Sequence, residues 1–448
     1  MIDLFKSLNI VLRDDRNKLF FASTILVLVV LIEVFGLGLI SFLIINISNL
    51  PEAINNVAFL NSIFSFFSLS LEDSLIIFSI IIVLYSIFSV ILSSIALNKL
   101  SIFAQILGAR IKSRIADYFL RLQWIEIAGS KSSTNISRII NDGEEVSYIV
   151  NFLMLLLSRL ALTIVITIFL FIFNPVLTFY VVSILSFSYL IIFYFFRSRY
   201  TINGIRIARW LDKSLNMMTN MFGSMKEIIF FGNQTIVLSN LEKTYLDLAH
   251  VKGNNTALSQ IPRFFIDSII LIVLVFGIAF SANAGEDLTY FFTTISIYGI
   301  AALKLLPAFQ NIFYFSSEIT QRKPHLSNVT ELLSRNTDFE DIESEAITFT
   351  KEILFKNVSY SWEEPENQSK SLLNLRIKKG EKIAVLGPTG SGKSTFIDLL
   401  LGLIEPQSGE IYIDGVKINR KNVKSYRNIF AFVPQKIFFL EDTMRENI

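Results

Sequence analysis

Chemistry is carried most plainly by Gly387, Pro388, Thr389, Gly390, Ser391, Gly392, Lys393 and Ser394, with Thr395 behind them. A glycine, four residues, then glycine–lysine–serine is the spacing of a phosphate-binding loop. Glycines let the main chain curl close to an anion, so that its N–H groups and the start of the next helix point at phosphate. Lys393 adds a compact charge for the β and γ phosphates, and the Ser394 hydroxyl suits Mg²⁺. Lys382 to Leu386 reads as a short buried strand leading in, and Phe396 to Leu401 as a helix leading out, ended by Gly402. The sequence therefore predicts a site for a nucleoside triphosphate, and the rest of the chain must show what that energy drives.

The composition answers in part. Of 448 residues, 52% are hydrophobic and only 17% charged, too apolar for a water-soluble protein of this size. Cysteine is absent, which excludes disulfides and thiolate metal sites, and the two histidines, His250 and His325, lie far apart in sequence. A net charge of +2 gives no case for a nucleic-acid partner.

Six apolar runs reach the roughly 20 residues that a bilayer demands: Leu19 to Ile47, Leu75 to Leu97, Phe152 to Phe173, Val176 to Phe196, Phe264 to Ala282 and Leu288 to Phe315. The first is too long for a signal peptide, and the short amphipathic N-terminus lacks a small-residue cleavage site. No Lys or Arg occurs between Lys18 and Lys99, whereas the segments after the second and fourth runs are rich in both. The excess of positive charge on cytoplasmic segments then predicts that both termini and the phosphate loop lie in the cytoplasm.

Residues 97–150 and 197–262 are too long for ordinary loops and hold apolar residues at helical spacing, which predicts that the membrane helices continue beyond the bilayer. Each has a polar break, Gly129 to Asn135 and Phe231 to Gln234, and Thr134 to Asp142 is expected to form a short cross-helix at the first. Residues 50–73, with Pro51, Phe59, Phe64 and Phe67, read as an apolar helix on the outer surface. Ionisable groups at membrane depth are Glu33, Arg159, Arg263 and Lys304. Lys304, followed by Pro307, either faces a water-filled cavity and an anionic substrate group or pairs internally with Glu33 or Asp267. Arg159 and Arg263 lie nearer the cytoplasmic end, where a long side chain snorkels.

A charged linker over 336–350 separates a membrane domain, 1–335, from a soluble domain, 351–448. In the latter, strands are expected at Ile353 to Tyr360, Leu372 to Ile377, Glu410 to Asp414 and Phe430 to Gln435, with Trp362 after the first. Six spans with long extensions, followed by these motifs in this order, resemble an ABC exporter half-transporter along the whole chain. The resemblance implies an α-helical six-span membrane domain followed by an α/β nucleotide-binding domain. In that pattern Trp362 stands where an aromatic ring stacks on adenine, and Gly387 to Thr395 form the Walker A loop for ATP. Gln435 matches the Gln that senses Mg²⁺ and the attacking water, and the two polar breaks match coupling helices.

Within that family, the apolar segment after the first span, Ile261 to Arg263 and Thr294 to Pro307 look most like lipid-linked oligosaccharide flippases of bacterial glycosylation. That branch implies a substrate cavity with Lys304 and Arg263 as its cations, a homodimer or a paralogous pair, and an inner-membrane location. The sequence as given stops at Ile448, where the family pattern continues with a signature, a Walker B Asp, a catalytic Glu and a switch His. On that ground the chain is expected to be truncated within its nucleotide domain and not to hydrolyse ATP alone. The same resemblance leaves open an exporter of peptides or hydrophobic drugs, and a nucleotide-binding membrane subunit without turnover.

Overall fold

A computed structural model describes residues 2–12, 15–47, 50, 53–54, 71–129, 132–284, 288–335, 346–360 and 372–447 apart from 436, 438 and 440. The chain divides into two compact units: residues 1–118 with 132–335, and residues 119–131 with 336–448. The expected linker start, Trp362 and most of the expected outer-surface helix lie outside the described residues.

The first unit is helical. In chain order it holds α1 (Ile2–Val11), α2 (Arg16–Ile45) and α3 (Leu71–Arg121, whose last residues pass into the second unit). After α4 (Trp124–Ala128, in the second unit) come α5 (Ser132–Ser137), a π-helical turn at Arg138–Asp142 and α6 (Gly143–Phe173). α7 (Pro175–Gly223), α8 (Met225–Phe230), α9 (Gln234–Ala284) and α10 (Leu288–Ser334) complete it. A helix of 51 residues, such as α3 or α9, rises about 75 Å at the usual 1.5 Å per residue, more than twice a bilayer's apolar core. The long extensions expected from sequence are thus continuous with the spans.

Five helices among the described residues are long and apolar enough to cross a membrane: 16–45, 75–121, 132–173, 175–196 and 293–334. The remaining expected run, Phe264 to Ala282, lies in α9, and most of that run's side chains are outside the described residues. On α3, Ile76, Ile80, Val83, Leu84, Ile87 and Phe88 are all exposed, an outer face suited to hydrocarbon rather than water.

Local signals set the helix ends. Asn174 caps α7 by accepting a hydrogen bond from the Leu177 amide at 3.1 Å, and Pro175 takes the first helical position, where no intrahelical N–H partner is needed. The inner seam is a three-helix core: Val30, Val34 and Leu37 of α2, Leu162, Ile166 and Leu170 of α6, and Ile297, Ala301, Leu305 and Ala308 of α10. Their spacing of three and four places them on one stripe of each helix. Beyond that core, glycine allows close approach: a methyl at Gly108 would sit 2.6 Å from Cβ of Ser147, whose hydroxyl donates to the Ala104 carbonyl at 2.8 Å.

Polar groups pin α6 to α10 further along. Asp142 accepts from His325 Nδ1 at 2.6 Å and from Asn328 at 3.2 Å, with Asp142 and His325 both buried. Arg322 forms ion pairs with Glu145, at 2.7 Å, and with Glu318, while its guanidinium lies over Tyr148 and Phe152. A buried carboxylate is tolerable here because donors meet both its oxygens.

The second unit has an antiparallel sheet in the order β2-β1-β3-β4: β1 (Glu352–Ser359), β2 (Leu373–Lys378), β3 (Ser408–Ile413) and β4 (Val416–Lys417). Two short helices, α11 (Lys393–Leu400) and α12 (Val423–Arg427), accompany it. Ile353, Phe355 and Val358 of β1 join Ile411, Ile413, Leu399, Ile404 and Tyr426 in its core. Asp414, at φ +47 in the β3–β4 turn, ties down the start of β1 by accepting from the amides of Thr350, Lys351 and Glu352.

Two strand expectations need correction. Lys382 to Leu386 and Phe430 to Gln435 form no strand; Leu386 is 90% exposed and Val433 82% exposed. A strand exists through its ladder partners, and among the described residues none pairs with either run. The cross-helix expectation is corrected as well. Residues 134–142 continue through the π-helical turn into α6, and the short separate helix is α4, ahead of the polar break. Gln123, in extended conformation, breaks the chain from α3 and starts α4.

Candidate functional site

The phosphate loop joins the exposed run 382–386 to α11. Gly390 and Gly392 have φ of +84° and +87°, left-handed conformations that a Cβ would strain, so glycine is required at both. Gly392 is the N-cap of α11; its carbonyl accepts from Phe396 N–H at 2.9 Å, which starts the helix at Lys393. The Ser391 amide donates to Pro388 O at 3.3 Å, tightening the turn.

The Lys393 ammonium folds back over this loop and donates to the carbonyls of Gly387 at 2.9 Å and Pro388 at 2.7 Å. It is thereby tethered across the main chain whose N–H groups could receive phosphate. Ser394 and Gln435 are both exposed. A hydroxyl and an amide are oxygen donors of the hard type that Mg²⁺ takes, so the two residues fit that ion chemically. Among the described residues no group of three or more His, Asp or Glu side chains could hold a metal.

The contact behind the loop has no local signature in the sequence. The α4 indole of Trp124 hydrogen-bonds the Asp398 carboxylate of α11, and Ile125 packs against the core of the second unit. Asp398 lies five residues beyond Lys393 on the same helix. Burial pushes its carboxyl above the usual carboxylate range, and the Trp124 bond partly offsets that. Trp124 and Ile125 are separated in sequence from Asp398 by more than the length of the first unit's later helices, so no local pattern links them.

In the first unit, Lys304 Nζ donates to Glu33 Oε1 at 2.5 Å. Of the open alternatives, the structure therefore contains the internal pair with Glu33. The Lys304 side chain remains 42% exposed while that of Glu33 is 20% exposed, so the cation is the more open partner. Arg159 Nε is buried without a hydrogen-bond partner among the described residues. Arg263 lies within α9, and its side chain is outside the described residues. The second polar break forms a turn at Phe231 to Asn233, with Gly232 at φ +68, and Phe222, Ile229, Phe230 and Phe231 beside it are exposed.

The phosphate loop thus stands in a chain whose other unit is built from helices long and apolar enough to cross a membrane. Residues 371–447 match the sequence model of the ABC transporter family. Over 96 residues the chain is 41% identical to the subtilin transport ATP-binding protein SpaT of Bacillus subtilis, covering 21% of this chain and 16% of that protein. It is 35% identical over 97 residues to the ATP-dependent lipid A-core flippase of Wigglesworthia glossinidia brevipalpis, covering 22% and 17%. The structure superposes on a bacterial Atm1-family ABC exporter with ATP bound at a TM-score of 0.68 and 13% identity, covering 93% of this chain and 70% of that one. The fold is that of an ABC exporter, a unit of membrane-length helices together with a unit that matches the ABC transporter family model. The matched segments span less than a fifth of the two sequence relatives.

Proposed function

We propose that the protein is an ATP-driven exporter of the inner membrane, acting as a dimer with a second copy or a paralogue. Its cargo on this reading is a lipid-linked oligosaccharide or a related polysaccharide precursor lipid. The observation that carries the engine is the phosphate loop itself, with left-handed glycines, Lys393 held across it and α11 starting at its end. The loop amides and Lys393 would hold the ATP phosphates, Ser394 and Gln435 would hold Mg²⁺, and Trp362 would stack on adenine. Mg²⁺ supplies charge neutralisation between the phosphates when bound. ATP binding closes two nucleotide domains, and on this reading the polar breaks at Gly129 to Asn135 and Phe231 to Gln234 act as the coupling segments.

The cargo reading rests on Lys304, an intramembrane cation that is partly exposed although paired. Its ammonium has three donors and spends one on Glu33, which leaves two for an anionic group such as a lipid phosphate. Arg263 is the second proposed cavity cation. The relatedness to a protein named for subtilin transport favours export of a peptide as the second reading.

The test is ATPase activity of the full-length protein in liposomes, with and without a lipid-pyrophosphate-linked sugar. Stimulation by the lipid that disappears in Lys304→Ala, with basal hydrolysis intact, supports both engine and cargo. Equal activity with and without lipid, and a Lys304→Ala variant like wild type, removes the cargo reading and puts peptide export first.

A further inference from the structure

A groove of about 470 Å³ lies between α1, the start of α2 and α6, lined by Lys6, Leu8, Asn9, Leu12, Arg16, Leu19, Val150 and Leu153. Its floor is apolar, and two cations stand at its rim. On α1, Leu8, Val11 and Leu12 are buried at helical spacing, so this short helix is fixed against the unit by its apolar stripe. Lys6 and Asn9 are left on the outer side, exposed.

The charges around the groove are unequal in how they are spent. Asp15 is buried and taken by Lys18 at 3.3 Å and by Arg110, and Arg114 donates to the Val11 carbonyl at 2.7 Å. Those contacts fasten the elbow between α1 and α2. Lys6 and Arg16 take no part in them, and among the described residues neither makes an ion pair or a side-chain hydrogen bond. Arg16 also opens the first membrane-length helix, and Phe20 and Phe21 one turn on are exposed at 73% and 68%. The groove thus sits where an apolar span meets its charged end, the depth at which lipid headgroups lie.

We infer that this groove binds one anionic diacyl phospholipid, its phosphate between Lys6 and Arg16 and an acyl chain over Leu8, Leu12, Leu19, Val150 and Leu153. Charge complementarity selects the occupant. Two unspent cations over an apolar floor match a molecule that is anionic at one end and hydrocarbon at the other. A free phosphate gains nothing from the floor, and a neutral lipid gains nothing from the rim. Basic groups at the membrane surface each favour anionic lipid by a several-fold factor, so two together give roughly tenfold or more. The inference is independent of the cargo, because it uses neither Lys304 nor the nucleotide loop.

The experiment compares retention of phosphatidylglycerol and phosphatidylcholine by the full chain, released from mixed nanodiscs and read by native mass spectrometry. Wild type is expected to keep phosphatidylglycerol selectively. The Lys6→Gln/Arg16→Gln variant loses that selectivity roughly tenfold, whereas Lys18→Gln, whose cation is bound to Asp15, keeps it. Leu153→Trp, which fills the floor, lowers retention with both rim cations intact. Water-soluble glycerol 3-phosphate does not displace the lipid. Unchanged selectivity in Lys6→Gln/Arg16→Gln overturns the inference. Displacement by glycerol 3-phosphate as effective as by lipid overturns it too, leaving a bare anion site.

Discussion

Lys393 and Lys304 are the same cation placed in two different solvents. Lys393 stands on a glycine-rich loop beside water and is held by two main-chain carbonyls five and six residues away. Lys304 stands in an apolar helix and is held by a carboxylate 271 residues away. A loop cation needs only local backbone to hold its place and can exchange those carbonyls for phosphate at little desolvation cost. A cation among hydrocarbon side chains needs an opposite charge, because the ionised group left alone would be costly. The first arrangement is available to bind a ligand, and the second must give up a partner to do so.

The largest expected effect comes from breaking the loop. Lys393→Ala removes a charge-assisted contact to phosphate and should weaken ATP binding by roughly ten- to a hundredfold, measured by titration with a fluorescent ATP analogue, with the unfolding temperature unchanged. Breaking the membrane pair should act on stability instead. Glu33→Ala leaves Lys304 uncompensated and should cost about 1–3 kcal/mol, below the range for fully buried pairs because both groups are partly exposed. The double variant Glu33→Gln/Lys304→Met should unfold later than Glu33→Ala in a thermal melt in nanodiscs. A double variant that melts earlier than Glu33→Ala would show that the pair contributes more than compensation.

Behind the loop, Trp124→Phe keeps the ring packing but removes the N–H bond to Asp398, and should cost about 1 kcal/mol. That bond lowers the Asp398 carboxyl while burial raises it. Its loss should therefore move the Asp398 titration further up, a shift readable by carboxyl NMR of the second unit's resonances in the intact chain. The smallest effect concerns Asp414, whose carboxyl is held well below the usual range by the Thr350 side chain and then by the amides of Glu352, Thr350 and Lys351. A depressed carboxylate contributes stability above its unfolded value, near 4, and that contribution fades as the pH falls below it. Wild type should lose stability on acidification through that window, and Asp414→Asn should show a flatter pH profile.

The same contrast explains what could be read without coordinates. The phosphate loop is a local arrangement, and its glycines, Lys393 and the helix after it follow from neighbours within ten residues. The spans are legible because apolar length is a one-dimensional quantity, and α7 begins where Asn174 and Pro175 mark it. Pairings between distant segments are another matter. Glu33 and Asp267 are equally available in sequence as partners for Lys304, and nothing in the α4 sequence marks Trp124 as a partner for Asp398. Strand expectations at 382–386 and 430–435 rested on β-branched and aromatic residues, which describe a surface that can pair but do not provide the neighbour. The polar break points to a cross-helix at residues 134–142, whereas the short helix is α4 just before them, held by the apolar Trp124 and Ile125. Docking, not polarity, fixes that element.

The most direct test of the account is whether nucleotide at the loop moves an amphiphile through the helical unit. Full-length protein is reconstituted in liposomes with a fluorescent lipid-pyrophosphate-linked sugar, and the accessibility of the label to a membrane-impermeant quencher is followed after MgATP is added. Transfer between leaflets should need MgATP and be lost in Lys393→Ala. Transfer that proceeds equally without nucleotide, or that persists in Lys393→Ala, would rule out a nucleotide-driven exporter.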